Sequence, residues 1–427
     1  MLDAGYAQRS ITPPLGSEME GFNQRDGARR VHDDLYVRVL SLAYGPEEAA
    51  IIALDLLFME RAQVDRMKGA LGRTHGLLPA QLFLNFSHTH SGPRISRWHY
   101  GGAPAPAYLD RIEDALIAAV GAARAHRQPV TLEAGMTATD IPISRRRVNA
   151  AGQAEWGPYA AGPSCPALPV CRLRGEDGAT RALLFSVSCH PTINHAPVIS
   201  AEYPGVAVAA LNAREDTAGA IFLQGAGGDT KPRRVAVGDD HFRDGDWEDV
   251  AAVGEEAAAR VIARIADGLQ PVRPGLRAAI VEAELPLSPP PSADALAAIV
   301  ADDTAADDTR RWAADMLDTL ACRGALPAVA PVQVHGLRLG DGLRLIGVEG
   351  ELVSELGALM LRRFPTGVTF PLGYTNGSRL NIPCDRQLPE GGYGVDTAWE
   401  YHWPAPLAPG IDAALARALD ALAPVVA

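Results

Sequence analysis

Residues 82–93 read Leu-Phe-Leu-Asn-Phe-Ser-His-Thr-His-Ser-Gly-Pro, and this switch from an apolar run to a polar one decides how the chain is laid out. Leu82 to Phe86 has the length and composition of a strand covered on both faces, and Ser87 to Pro93 is the loop into which it emerges. Alternation along extended backbone points His88 and His90 to the same side, about 6.6–6.8 Å apart at Cα. One metal ion can accept both imidazoles, or one can ligate while the other carries a proton. Two surface-loop histidines are the plain alternative.

The same layout recurs further along. Ser186-Val187-Ser188-Cys189-His190-Pro191-Thr192 again ends an apolar strand in a histidine, and the proline biases His190 toward extended backbone and stops the strand. Gln224-Gly225-Ala226-Gly227-Gly228-Asp229-Thr230-Lys231-Pro232 follows another short strand. Its glycines let backbone N–H groups approach a ligand, and Asp229 is placed to orient a histidine or accept a proton. It lacks the Walker pattern, so a phosphate cradle is the weaker reading. Gly347-Val348-Glu349-Gly350-Glu351-Leu352 joins an apolar strand, Leu343 to Val348, to a helix running to Phe364. Glu351 is expected in that helix's first turn, where the dipole favours a carboxylate with or without a metal; Glu349 is the competing carboxylate. Two histidines and one carboxylate at strand ends, His88, His190 and Glu351, make a three-ligand site with an open position, the arrangement of catalytic zinc.

Working outward, Val37 to Tyr44 and Ala50 to Leu56 are further short apolar runs, and helical periodicity covers Arg61 to Leu71 and Tyr108 to His126. Ala182 to Ser188 and Ala220 to Leu223 read as strands, Pro204 to Arg214 as a helix opened by proline, and Asp249 to Leu269 as an alanine-rich helix. A strand-rich part begins near Leu276. The pattern is α/β: one domain over residues 1–427, with a large mixed sheet as its core, flanking helices and site loops at strand ends. Prolines at 289 to 291 and an amphipathic stretch through Trp312 and Leu317 mark 289–326 as a helical insertion, a lid or a surface between copies in a homo-oligomer. After Gly373 the chain is rich in Gly, Pro, Tyr and Trp and is expected to be loop-dominated, with Trp399, Tyr401, His402 and Trp403 shaping a pocket rim.

A chain of 427 residues that is 47% hydrophobic can bury a large core. Its net charge of -12 and pI near 5.4 argue against a nucleic-acid partner, and the arginine runs 145–147 and 233–234 are too short to change that. The five cysteines, Cys165, Cys171, Cys189, Cys322 and Cys384, lack metal-ligand spacing and read as thiols in a reducing compartment. The N-terminus shows neither the basic start nor the apolar core of a signal peptide, and no apolar run approaches a membrane span. A cytoplasmic protein acting on a small molecule, without nucleic acid or membrane, is expected.

The ordered set Ile11 to Pro14, Val31 to Arg38, Leu54 to Leu57, Ser87 to Pro93, Cys189 to Thr192, Gly225 to Pro232 and Gly350-Glu351 resembles the N-terminal domain of the neutral/alkaline ceramidase family over nearly the whole chain. The resemblance implies a zinc amidase whose metal is held by His88, His190, Glu351 and a tyrosine. It places His90, Arg145 and Tyr393 around the scissile group, with Arg146 and Arg147 adjoining Arg145. Two positions depart from the family. The ligating tyrosine falls on Asn381, and a functional serine falls on Lys231. The family's C-terminal immunoglobulin-like domain and secretion signal are not seen. These departures point away from ceramide itself.

The expected chemistry is hydrolysis of an amide in a small polar substrate by metal-activated water, with one divalent ion, zinc. His90 shuttles the proton, and Tyr393 with Arg145 stabilises an oxyanion or holds a carboxylate. Lys231, an ammonium in a glycine-rich loop, suggests an acidic group on the substrate; Asn381, Arg146 and Trp403 complete the expected substrate contacts. An esterase or lactonase on the same centre, and a silent homologue that binds a small polar ligand, are the alternatives.

Overall fold

The computed structural model describes residues 1–22, 27–98, 105–214 and 216–427. Its main sheet runs from edge to edge as Ala220–Gln224, Thr180–Val187, Ala167–Gly175, Gln128–Ala138, Leu2–Ser10, Tyr36–Tyr44, Glu47–Leu54 and Leu82–Phe86, with Gln270–Val272 pairing alongside Gln128–Ala138. The middle pairs are antiparallel. Both outermost pairs are parallel. Leu82–Phe86 and Ala220–Gln224 are buried at every position, as the near-continuous apolar runs of parallel strands should be. Helices Arg61–His75 and Pro106–Ala125 cover one part of the sheet, and Glu202–Asn212 and Trp247–Ala266 another. This is the large mixed sheet with flanking helices that the alternation predicts.

A second sheet orders Pro274–Pro286, Val329–Gly340, Leu343–Val348 and Val368–Leu372 and also ends in a parallel pair. The two sheets share a core that includes Leu40, Ile51, Phe83, Leu184, Leu345 and Phe370. Between the first two strands of the second sheet come helices Ala293–Ala301 and Asp307–Arg323, the helical insertion expected over 289–326. They enclose a small core of their own around Leu296, Trp312 and Met316.

Asn85 fixes where the strands end. Its Oδ1 accepts the Gln224 N–H at 2.7 Å and its amide donates to the Gly373 carbonyl at 2.9 Å. This fully buried side chain therefore draws together the ends of Leu82–Phe86, Ala220–Gln224 and Val368–Leu372, whose exit loops carry the chemistry.

Two expectations fail. The chain past Gly373 is not loop-dominated to its end: Ile411–Val426 is a helix, with Ile411, Leu415, Leu419 and Leu422 on one face against the second sheet. Glu351 is not in a helical first turn. Glu351 and Leu352 pair in parallel with Asn381 and Ile382, and the helix begins only at Ser354. Its carboxylate is therefore aimed by a strand-like bridge rather than by a helix dipole. No described helix is long and apolar enough to cross a membrane.

Candidate metal centre

Four strand ends meet at one point. The Nδ1 of His88 lies 3.0 Å from the Leu57 carbonyl, that of His90 2.6 Å from Gly21, and that of His190 2.7 Å from Gly227. A carbonyl oxygen only accepts, so each Nδ1 carries a proton, which leaves Nε2 as the nitrogen that a neutral ring offers to a metal. The three rings offer ligand atoms within 4.8 Å of one another. His90 Nε2 is 3.1 Å from His88 Nε2, and Glu351 Oε2 is 3.2 Å from His190 Nε2 and 3.4 Å from His88 Nε2. Four acceptors thus face one another, a repulsive arrangement that a cation relieves. Ligands about 2.0–2.1 Å from one tetrahedral ion stand roughly 3.3 Å apart, so the observed spacings fit a single metal ion.

Protonation supports the same reading. Burial, and then Arg145, lowers the pKa of His190 to about 3; burial with the neighbouring His88 and His190 pushes His90 in the same direction. Both imidazoles are therefore neutral, the form that ligates. Burial alone would raise the Glu351 carboxyl, but His88 and His190 outweigh it and hold it well below the usual range.

The backbone is built around these rings. His88 sits at φ 62°, left-handed for a non-glycine residue and costing on the order of 1–3 kcal/mol, a strain that clusters at functional sites. Its N–H is anchored on the Leu56 carbonyl at 3.0 Å. In the glycine-rich loop a Cβ on Gly227 would lie 2.7 Å from the Cys189 nitrogen, and one on Gly228 would lie 2.7 Å from the Glu351 carbonyl oxygen. The loop must pass backbone to backbone between the segments that carry His190 and Glu351, and only glycine allows it.

Tyr401 donates its hydroxyl to Glu351 Oε1, and its ring packs on Phe58. Tyr374 lies with its ring 4.2 Å from that of His88 and has a buried hydroxyl without a partner among the described residues. Glu202, fully buried at φ 59°, accepts the N–H groups of Ile193, Asn194 and Tyr203 and so cages the loop after His190.

Beside the cluster lies a cavity of about 420 Å³ that His90 lines together with Arg145, Trp156, Thr192, Lys231 and Tyr393. His90 is 8% exposed, whereas His88, His190 and Glu351 are 1%, 1% and 4% exposed. Of the cluster, His90 is the member turned toward this space.

Comparison of the sequence with family models and with curated proteins returned no match. Comparison of the structure did. A ceramidase complexed with C2 superposes with a TM-score of 0.76 at 15% identity, over 100% of this chain and 76% of that one. The neutral ceramidase from Pseudomonas aeruginosa gives 0.76 at 16% identity, over 100% of this chain and 75% of that one. The chain has the neutral ceramidase fold.

Within this ceramidase fold the sequence-predicted residues sort into three groups. His88, His190 and Glu351 converge as expected, with His90 beside them. Glu349, the competing carboxylate, is taken up by Arg61 and by the Gln333 N–H. Arg145, Tyr393 and Lys231 line the cavity. The remaining residues have other partners. The Asp229 carboxylate neither orients a histidine nor faces the cluster: it accepts the Ser354 N–H at 2.8 Å, the Ser354 hydroxyl at 3.0 Å and the Gln387 amide at 3.2 Å, while the Gly227 carbonyl orients His190. Arg146 does not line the cavity beside His90. It donates to the carbonyls of Tyr393 at 2.6 Å and Gly391 at 2.8 Å, pinning that loop. Trp403 stacks on Arg379 and lines a separate groove with Trp312 and Trp399. Asn381 borders the small hollow between Arg145, Asp229 and Tyr393, and its amide reaches Thr397 at 3.4 Å. The phenol beside Glu351 comes from Tyr401. Adjacency in sequence to the other rim aromatics hid it, and its position eight residues after Tyr393 was the available clue.

Proposed function

We propose that this chain is a metal-dependent hydrolase that cleaves a carbon–nitrogen amide bond in a small polar substrate. The observation that carries the reading is the convergence of His88, His90 and His190 Nε2 with Glu351 Oε2. The donor set, imidazole nitrogen with a carboxylate oxygen, is that of catalytic zinc. His88, His190 and Glu351 hold the ion, and Tyr401 orients Glu351 from outside.

A divalent ion bound there supplies Lewis acidity, polarising the amide carbonyl and making water a better acid. The protein's own groups do the rest. His90 Nε2, facing the cavity, takes the proton from the attacking water as its oxygen adds to the carbonyl carbon. The same nitrogen returns that proton to the amide nitrogen as the carbon–nitrogen bond breaks, leaving a carboxylic acid and an amine and restoring neutral His90. Tyr393, which lines the same cavity, donates to the oxyanion in this reading. The ceramidase fold of the neighbours supports the amide as the bond cleaved, since the ceramidases are named for hydrolysing one.

The test is turnover of paired chromogenic amides and esters of the same acyl group by protein purified without chelators. Amide cleavage that disappears with a chelator and returns with zinc supports the reading. Ester cleavage alone would replace it with the esterase, and turnover insensitive to chelation would overturn the metal.

A further inference from the structure

We propose that Arg145 and Lys231 form a carboxylate-binding subsite in the cavity beside the histidine cluster, so that the amide cleaved belongs to a substrate that itself carries a carboxylate, as N-acylated amino acids do. The substrate class rests on the hydrolase reading above; the anion site does not.

Lys231 is 3% exposed and Arg145 4% exposed. Among the described residues, no acceptor hydrogen-bonds the Lys231 ammonium and no carboxylate lies within ion-pair distance of it; its near neighbours are the rings of Phe242 at 5.4 Å and Trp156 at 6.0 Å. Arg145 gives one N–H to the Gly228 carbonyl at 2.7 Å. The rest of its guanidinium lies over Trp156 at 4.7 Å and Tyr393 at 5.3 Å, again without a carboxylate among the described residues. Thr192, which lines the same cavity, adds a buried hydroxyl that has no partner among the described residues.

Burying one unpaired cation is costly, and placing two around one cavity adds mutual repulsion. A fold carries such an arrangement when a ligand brings the missing charge. The nearby carboxylate of Glu202 does not fill this role, because backbone N–H groups of Ile193, Asn194 and Tyr203 occupy it. Glu400 also lines the cavity. A planar guanidinium with free N–H groups suits the two oxygens of a carboxylate, and Phe22, Trp156 and Phe242 give its neighbouring atoms an apolar wall. Because His90 lines the same space, an acid held there leaves the adjoining amide beside the cluster.

The experiment compares N-acetyl-L-phenylalanine with N-acetyl-L-phenylalaninamide, which differ in charge alone at the carboxyl end, by titration calorimetry and by turnover. Wild-type protein, Lys231→Met and Lys231→Arg are used; methionine fills the aromatic surroundings without a charge and keeps the variant foldable. Wild type is expected to prefer the acid by at least about 10-fold, a preference that Lys231→Met brings close to unity and Lys231→Arg retains. Equal binding of acid and amide by wild type overturns the subsite. So does a preference that survives Lys231→Met, which would place the carboxylate on the metal instead. Inorganic phosphate binding more tightly than the acid overturns the carboxylate assignment. A Lys231-dependent preference in binding without turnover of either compound leaves the subsite standing and removes the hydrolase reading; turnover without preference does the reverse.

Discussion

The histidine cluster and the cavity beside it are electrostatic opposites. Around the first, three imidazole nitrogens and a carboxylate oxygen crowd together. Around the second, an ammonium, a guanidinium and a hydroxyl are buried, and among the described residues no carboxylate lies within ion-pair distance of either cation. Each is incomplete in the way the other is not: a cation completes the cluster and an anion completes the cavity. His90 belongs to both. The contrast teaches that the two regions are read best as one site for a molecule whose amide meets the cluster and whose acid meets the cavity.

The comparison breaks most visibly on the cluster side. His190→Ala or Glu351→Ala is expected to lower amide hydrolysis by about 10³-fold or more, because several kcal/mol of carbonyl polarisation depend on the bound ion. The same variants should lose the drop in unfolding temperature that a chelator causes in wild type, which scanning calorimetry reads directly. His90→Ala should keep its metal and lose about 10²- to 10⁴-fold in kcat, the range of a missing acid–base group. Loss of metal in that variant would make His90 a fourth ligand and end its role as proton carrier. Tyr401→Phe removes the hydroxyl that holds Glu351 and should cost about 10- to 100-fold in metal affinity, measured by competition with a chromogenic chelator.

The smallest effect sharpens the cavity side. Burial, and then Arg145, lowers the Lys231 pKa to about 8, with Glu202, Cys189 and Asp244 acting in the opposite sense. The charged ammonium is the form that holds a carboxylate. Preference for the acid over its amide should therefore be constant below pH 8 and fade as pH rises through that value, by KM rather than kcat. A preference unchanged to pH 10 would assign the anion to Arg145 alone.

Much of this was legible in the chain because the informative residues sit where strands stop. Leu82 to Phe86 is an apolar run broken only by Asn85 and followed at once by Ser87-His88-Thr89-His90, and hydrophobic pattern alone places both the strand and the emerging histidines. His190 and its proline carry the same signal. The antiparallel middle of the sheet was harder: Leu2–Ser10 and Gln128–Ala138 mix small and polar residues with apolar ones, and nothing local says that they pair. Ile411–Val426 was missed for a different reason, since a loop-like composition from Gly373 to Gly410 masked a well-ordered apolar stripe behind it. Asp229 shows the limit of motif reading. Its carboxylate, one residue from a ligand-holding glycine loop, turns instead to Ser354, and only the fold decides between those two directions. Tyr401 and Glu202 were beyond local reading because their partners lie 50 and 9 residues away across separate loops.

The central claim is that His88, His190 and Glu351 hold a metal ion, and metal content tests it most directly. Elemental analysis with anomalous scattering on chain purified without chelators should find one divalent ion per chain at the His88, His190 and Glu351 side chains, and none in His88→Ala. Wild-type chain that hydrolyses an amide with no metal present, or His88→Ala that keeps a full equivalent of metal, would contradict the account.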